Sequence, residues 1–213
     1  MTAKQLNEQF KIVLASASPR RSEILNLAGL EFDVWPSDKE ETMTKTAPRE
    51  VCSNLARTKA LDVASQIKTY GESHPDLTTG TDIIVIGADT IVAKGDEIFG
   101  KPKDDDDAKR MLRELSGCTH SVFTGVSLVF MSAGGRVGEH TFCDETKVTF
   151  YPVDEDEIDV YVNSGDASDK AGAYGIQSGA ASFVKGIEGD FYNVMGLPLA
   201  RVLQEIKSLL VGV

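Results

Sequence analysis

Cysteine is scarce in this chain of 213 residues: Cys52, Cys118 and Cys143 are widely spaced, odd in number and form no CxxC pair. That pattern supports neither a disulfide framework nor a zinc ribbon, and it implies a reducing environment. Basic residues are outnumbered, with 22 Lys and Arg against 33 Asp and Glu, for a formal net charge of −11. A field of that sign repels nucleic acid and anionic membranes, so neither is an expected partner. Any anionic ligand needs a local basic cluster that overcomes the global charge. Long apolar runs are also missing; a membrane helix needs about 18 such residues. Met1 to Phe10 has no apolar core of the signal-peptide kind, so a cytoplasmic location is expected. The histidines His74, His120 and His140 show no HExxH or paired spacing, which leaves zinc catalysis without support. No GxxxxGK[ST] phosphate loop is present, and no GxGxxG follows an expected strand.

What is present describes an ordinary soluble protein, 41% hydrophobic and 26% charged. The length fits one large domain or two small lobes around a shared cleft. Residues 1–10 read as an N-terminal extension and 11–213 as a single domain. Lys11 to Ala15 reads as a strand, and Ile83 to Ile86 as a strand buried on both faces. Pro19 to Ala28, Arg49 to Ile67 and Asp104 to Leu115 read as helices, and Tyr70 to Thr81 as a loop. Ser121 to Phe130 and Gly138 to Tyr151 form an expected long hairpin. A short helix over Asp154 to Val162 and a closing helix from Leu199 to Leu210 complete the pattern. Helices alternating with strands give an α/β fold, and the hairpin makes its sheet mixed.

Chemistry concentrates in three places. The first is Leu14-Ala15-Ser16-Ala17-Ser18-Pro19-Arg20-Arg21, where a strand ends and a helix begins with Ser18 as N-cap and Pro19 at its first position. Free backbone N–H groups, the positive helix end, two hydroxyls and two guanidinium groups meet there, a set suited to phosphate. The bland reading is a capped helix with solvated arginines. The second is Ile86-Gly87-Ala88-Asp89-Thr90, where Asp89 follows the carboxyl end of the most buried strand. Ligands bind at that edge of open α/β sheets, and an acid there can hold Mg²⁺ or accept a proton from water; a turn aspartate is the bland alternative. The third is Lys59, which interrupts the stripe Val51, Leu55, Val63 and Ile67. Either it meets an anion or it snorkels to water.

Lys101 and Lys170 are loop cations of the kind that is usually surface charge, and Glu40 and Glu41 are candidate metal acids in a polar stretch. The acidic runs Asp104 to Asp107 and Asp154 to Glu157 read as helix N-terminal charge caps. Cys118 and His120 share an expected strand face, which permits a thiol–imidazole pair, although no orienting acid accompanies them.

Taken together, Ser16-Ala17-Ser18-Pro19-Arg20-Arg21, Gly87-Ala88-Asp89-Thr90, Gly100-Lys101-Pro102, Leu115-Ser116-Gly117, Lys170-Ala171-Gly172-Ala173-Tyr174-Gly175-Ile176-Gln177 and Val194-Met195-Gly196-Leu197-Pro198 closely resemble the Maf family of nucleoside triphosphate pyrophosphatases. The resemblance spans roughly Lys11 to Leu210 in family order. It implies a two-lobed fold with an elongated mixed sheet and a central cleft, similar to inosine triphosphate pyrophosphatases. It also implies hydrolysis of a nucleoside triphosphate to the monophosphate and diphosphate with Mg²⁺ or Mn²⁺, and a homodimer. By matching motif, Asp89 is implied as the proton acceptor, with Lys101 beside it in catalysis. Ser16 or Ser18, Arg21, Lys59 and Lys101 are implied to handle phosphate. Asp89 and Glu41 are implied to hold the metal, with Glu40 as the alternative to Glu41. Arg20, Thr90 and Gln177 match the branch that acts on dTTP and UTP, and a Gln amide offers the donor and acceptor that a pyrimidine edge requires. The other readings are a 7-methyl-GTP pyrophosphatase and a nucleotide-binding regulator of cell division that does not hydrolyse.

Overall fold

The computed structural model describes residues 2–40, 46–73 and 80–212. One mixed sheet of seven strands runs through it. Strand β1 (Phe10–Leu14) lies between β2 (Phe32–Val34) and β3 (Asp82–Lys94), parallel to both. The remaining pairs are antiparallel: β4 (Glu97–Phe99) and β5 (Thr119–Met131) on β3, β6 (Val137–Phe150) on β5, and β7 (Val184–Glu188) on β6. The order is β2-β1-β3-β5-β6-β7, with β4 off this path on β3. The expected mixed α/β sheet and its long hairpin are both present.

Alternation along β3 divides the first lobe into two packed layers. Ile84, Ile86 and Ala88 pack with residues of α2 (Pro19–Leu27) and α6 (Leu199–Gly212). Ile83 and Val85 pack against Ala60, Val63, Ala64 and Ile67 of α3 (Pro48–Ser73) on the other face. Helix α3 reaches the sheet because glycines leave room for it. A Cβ on Gly87 would sit 2.5 Å from the Ala56 carbonyl oxygen, and one on Gly125 would sit 2.4 Å from the Cys52 backbone. Cys52 and Cys143, distant in sequence, meet under this helix as free thiols with Sγ atoms 3.3 Å apart.

The second lobe gathers α4 (Asp105–Leu115), α5 (Glu155–Asn163) and two 3₁₀ turns (Ala171–Ala173 and Gly179–Phe183) around Val92, Phe99, Val122 and Phe150. Its helices begin as expected. Asp104 accepts from the Asp107 N–H, and Asp154 forms a reciprocal capping box with Glu157.

Three expectations change. Tyr70 to Ser73, read as loop from their small and polar residues, continue α3, whose end is held by an edge-on contact between the Tyr70 and Trp35 rings. Residues 1–10, read only as an N-terminal extension, contain helix α1 (Ala3–Gln9). It is capped by Thr2 and anchored by one fully buried side chain, Leu6, too sparse a signal for periodicity. Finally, β3 does not stop at Ile86. Gly87-Ala88-Asp89 breaks the apolar run, yet β5 pairs with β3 without interruption from Ile83↔Met131 to Ala93↔Ser121.

Candidate active site

The site lies in a gap on one edge of β3. Strand β1 covers that edge from Asp82 to Ile86, and β4 covers it again from Val92 to Lys94. Between them Gly87–Ile91 has no ladder partner on this side among the described residues. Asp89 and Thr90 sit in the gap on alternate faces of the strand. Asp89 is thus placed inside the strand, paired in register with Gly125, rather than after its end as the sequence led us to expect.

Above the gap is a cleft of about 510 Å³ between the lobes, a size typical of ligand sites. Ser16, Ser18, Arg20, Arg21, Lys59, Asp89, Thr90, Lys101 and Gln177 all line it, so the structure brings together the described candidates from both halves of the chain. Glu41 lies outside the described residues; Glu40 is exposed and is not part of the lining. Five basic and two acidic side chains face the described cleft. The surface of a chain with net charge −11 therefore turns locally positive.

Each group is held by identifiable partners. Lys59 Nζ donates to Asp89 Oδ1 at 2.6 Å, with both side chains largely buried. The interruption of the α3 stripe is therefore a buried ion pair, and the snorkelling alternative is discarded. Arg21 is buried and donates through Nε to the Gly196 carbonyl at 2.9 Å, and through its terminal nitrogens to Ser16 Oγ at 2.8 Å and Thr90 Oγ1 at 3.3 Å. Thr90 Oγ1 lies 2.9 Å from Thr124 Oγ1, and Thr124 donates to the Asn193 carbonyl at 2.8 Å. Ser18 is the N-cap residue of α2 as expected, but its side chain makes no capping bond; its N–H donates to Ser16 Oγ at 3.2 Å. Lys101 is exposed at the rim and forms no ion pair among the described residues. Its neighbour Gly100 accepts from the Gly172 N–H at 3.0 Å, which ties this loop to the opposite one.

Arg20 and Gln177 come from opposite walls. Arg20 donates to Asp169 Oδ2 at 2.8 Å. Burial raises the Asp169 carboxyl pKa, but hydrogen bonds from Lys170 and Arg20 outweigh it and bring it down to about 2. Lys170, read as surface charge, is largely buried, with Nζ bonded to the Asp166 carbonyl at 2.6 Å and Asp169 Oδ1 at 2.7 Å. Sequence reasoning missed Asp166 and Asp169; the DxxDK pattern, with Asp166 four residues before Lys170, is the signal that could have found them. Thr124 and Asn193 gave no signal.

The thiol–imidazole candidate dissolves. His120 is buried, its Nε2 lies 2.8 Å from the Tyr174 hydroxyl, and its ring sits edge-on to Phe150. Burial, with the Lys94 ammonium nearby, pushes its pKa down to about 4. It is a neutral core residue bonded to tyrosine, not to Cys118.

The family model for Maf-like proteins matches residues 11–209. A dTTP/UTP pyrophosphatase of Agathobacter rectalis is 54% identical over 203 residues, covering 95% of this chain and 99% of that protein. A dTTP/UTP pyrophosphatase of Lachnoclostridium phytofermentans is 45% identical over 199 residues, covering 93% and 95%. Among solved structures, a nucleoside-triphosphatase (dITP/XTP pyrophosphatase) of Mycobacterium abscessus aligns over 93% of this chain and 94% of its own, at 12% identity and a TM-score of 0.37. With a family match over nearly its whole length and relatives this similar, the chain belongs to the Maf-like family.

Proposed function

We propose that this protein hydrolyses dTTP and UTP to the monophosphate and diphosphate. The observation that carries the reading is the cleft itself, where cations converge on a carboxylate held by Lys59 in an otherwise acidic protein. The triphosphate lies against Arg21, Lys101 and the start of α2, whose backbone N–H groups and positive end suit phosphate oxygens. Water attacks the α-phosphorus in line and diphosphate leaves. Asp89 takes the proton of that water on its carboxylate, and Lys59 fixes the carboxylate's direction. Arg21, Lys59 and Lys101 stabilise the charge that moves to the leaving diphosphate.

The donor set fits a divalent ion that arrives with the substrate. Magnesium commonly takes one or two protein carboxylates and completes its shell with water and phosphate. The cleft offers Asp89, and the described residues contain no group of three His, Cys, Asp or Glu that would make a dedicated cage. Asp89 would hold Mg²⁺ or Mn²⁺, with Glu41 as the second expected acid. Held there, the ion would supply Lewis-acid neutralisation of phosphate charge.

Base selection falls to Arg20, Thr90 and Gln177. Thr90 is fixed by its bonds to Arg21 and Thr124, whereas Gln177 is exposed at the opposite wall. Buried polar groups reject a base with the reversed donor–acceptor pattern. The enzyme works in the cytoplasm, as a homodimer by family resemblance, and sedimentation velocity measures the latter. The central test is a panel of UTP, dTTP, CTP, ATP, GTP and 7-methyl-GTP with Mg²⁺ or Mn²⁺, the products resolved by chromatography. UMP and dTMP with diphosphate are expected. Preference for 7-methyl-GTP, or tight binding without turnover, would transfer the site to one of the other two readings.

A further inference from the structure

The loop that carries Gln177 is tied to Arg20 on the other side of the cleft by a chain of charged groups. Asp166 is its hub. Asp166 Oδ2 accepts from the Tyr161 hydroxyl at 2.8 Å and from Ser178 Oγ at 2.6 Å. The Tyr161 oxygen in turn accepts the Gly175 N–H at 3.0 Å, so the loop is gripped at Gly175 and Ser178, on both sides of Gln177. Its packing leaves no slack: a Cβ added to Gly175 would stand 2.4 Å from Ser178 Oγ and 2.7 Å from Lys170 Cε.

Asp166 Oδ1 lies 3.0 Å from Lys170 Nζ. With the Asp166 carbonyl at 2.6 Å and Asp169 Oδ1 at 2.7 Å, three oxygens surround that ammonium. An ammonium has three N–H donors, so Lys170 is saturated by its own loop. It is a strut rather than a phosphate ligand. Asp169 then passes the connection to Arg20 at 2.8 Å. Burial raises the Asp166 carboxyl pKa, but bonds from Ser178, Tyr161 and Lys170 prevail and hold it below the usual range, so the hub is an anion at neutral pH.

We infer that Asp166 is a positioning residue for base recognition, setting Gln177 through Tyr161 and Ser178 and Arg20 through Lys170 and Asp169. The inference rests on the proposed nucleotide site and adds the group that sets its base-reading geometry. Among the described residues, the hydrogen bonds that hold Asp89, Lys59 and Arg21 run to Ser16, Thr90, Gly196 and one another, not to the Asp166 hub.

The test separates the two sides with two probes, UMP and inorganic tripolyphosphate, titrated calorimetrically into wild type and Asp166→Asn. The Kd for UMP should rise about tenfold, the scale of losing hydrogen bonds to a charged group, while that for tripolyphosphate stays within about twofold. In turnover, KM for UTP should rise with kcat nearly kept, and the preference for UTP over CTP should shrink. An unchanged UMP affinity in folded Asp166→Asn, or an equal loss for both probes, overturns the inference. If that variant fails to fold, Ser178→Ala removes one bond of the hub and should show the same split at about threefold; no split there overturns the inference too. Wild type that treats UTP and CTP alike would refute the dTTP/UTP reading, while the difference between the two probes still decides the role of Asp166.

Discussion

On the wall formed by α2 and β3, Arg21 donates among the described residues to the Gly196 carbonyl and the Ser16 and Thr90 hydroxyls, whereas on the facing wall Lys170 is enclosed by oxygens of Asp166 and Asp169. A neutral acceptor fixes a cation's direction without cancelling its charge; a carboxylate does both. Under the proposed function the first wall would face the triphosphate, and the second, where carboxylates tie down Lys170 and Arg20, would present a fixed shape to the base. Lys59, reaching in from α3, is instead paired with a carboxylate, that of Asp89, the proposed proton acceptor.

The sharpest way to break this contrast is Asp89→Asn. The change is nearly isosteric but removes the proposed proton acceptor, and kcat should fall at least about 10²-fold. Because Asp89 lies inside a strand and balances Lys59, the variant should also lose about 1–3 kcal/mol of stability, measured by denaturant unfolding. Full kcat would remove Asp89 from catalysis. Second in size is the pair Arg21→Lys and Arg20→Lys. A lysine cannot reproduce the three-way bonding of Arg21, so kcat/KM should fall about 30-fold, against only a few-fold at Arg20, whose neighbour Asp169 a lysine can still meet. Equal losses would erase the difference between the walls.

Gly125→Ala acts from outside the cleft lining, on the strand paired with Asp89. Its methyl would collide with the Cys52 backbone and push α3 outward. Overpacking of this kind costs about 1–3 kcal/mol, and moving α3 draws Lys59 from Asp89, so kcat should fall along with the melting temperature. The smallest effect is expected for Asp169→Asn, and it depends on pH. The Asp169 pKa is depressed to about 2 in the fold against about 3.9 unfolded. Its contribution is therefore present above about pH 4 and fades as pH falls toward 2. Wild type should melt slightly above the variant at pH 7, and the two curves should converge in acid. A difference that persists at pH 2 would show that the Asp169 carboxylate is not its source.

How much of this was readable beforehand follows from the kind of signal each residue leaves. Lys59 announced itself because a charge on an apolar stripe needs a reason, and Asp89 because its small neighbours and buried strand mark a sheet-edge site. Asp104 and Asp154 declared two helix starts by spacing alone. On the second wall Gln177 was legible but its support was not: Asp166, Asp169 and Lys170 sit in a polar loop, where charges are ordinarily solvated, and only tertiary contacts distinguish a strut from a surface pair. The length of β3 was hidden for a related reason, since Gly87-Ala88-Asp89 ends the hydrophobic signal while β5 continues the pairing. Helix α1 depends on Leu6 and a capping box in an otherwise polar segment.

The gap beside Gly87–Ile91 also makes a buried strand kinetically uneven. Side chains of β3 are among the most enclosed in the protein, yet on the side facing the cleft this stretch has no ladder partner among the described residues. Amide hydrogens there should exchange with solvent faster than those of Ile83–Ile86 a turn of the pleat away, and a nucleotide filling the cleft should slow them. The central strand thus carries, in its own exchange rates, a record of whether the site is filled.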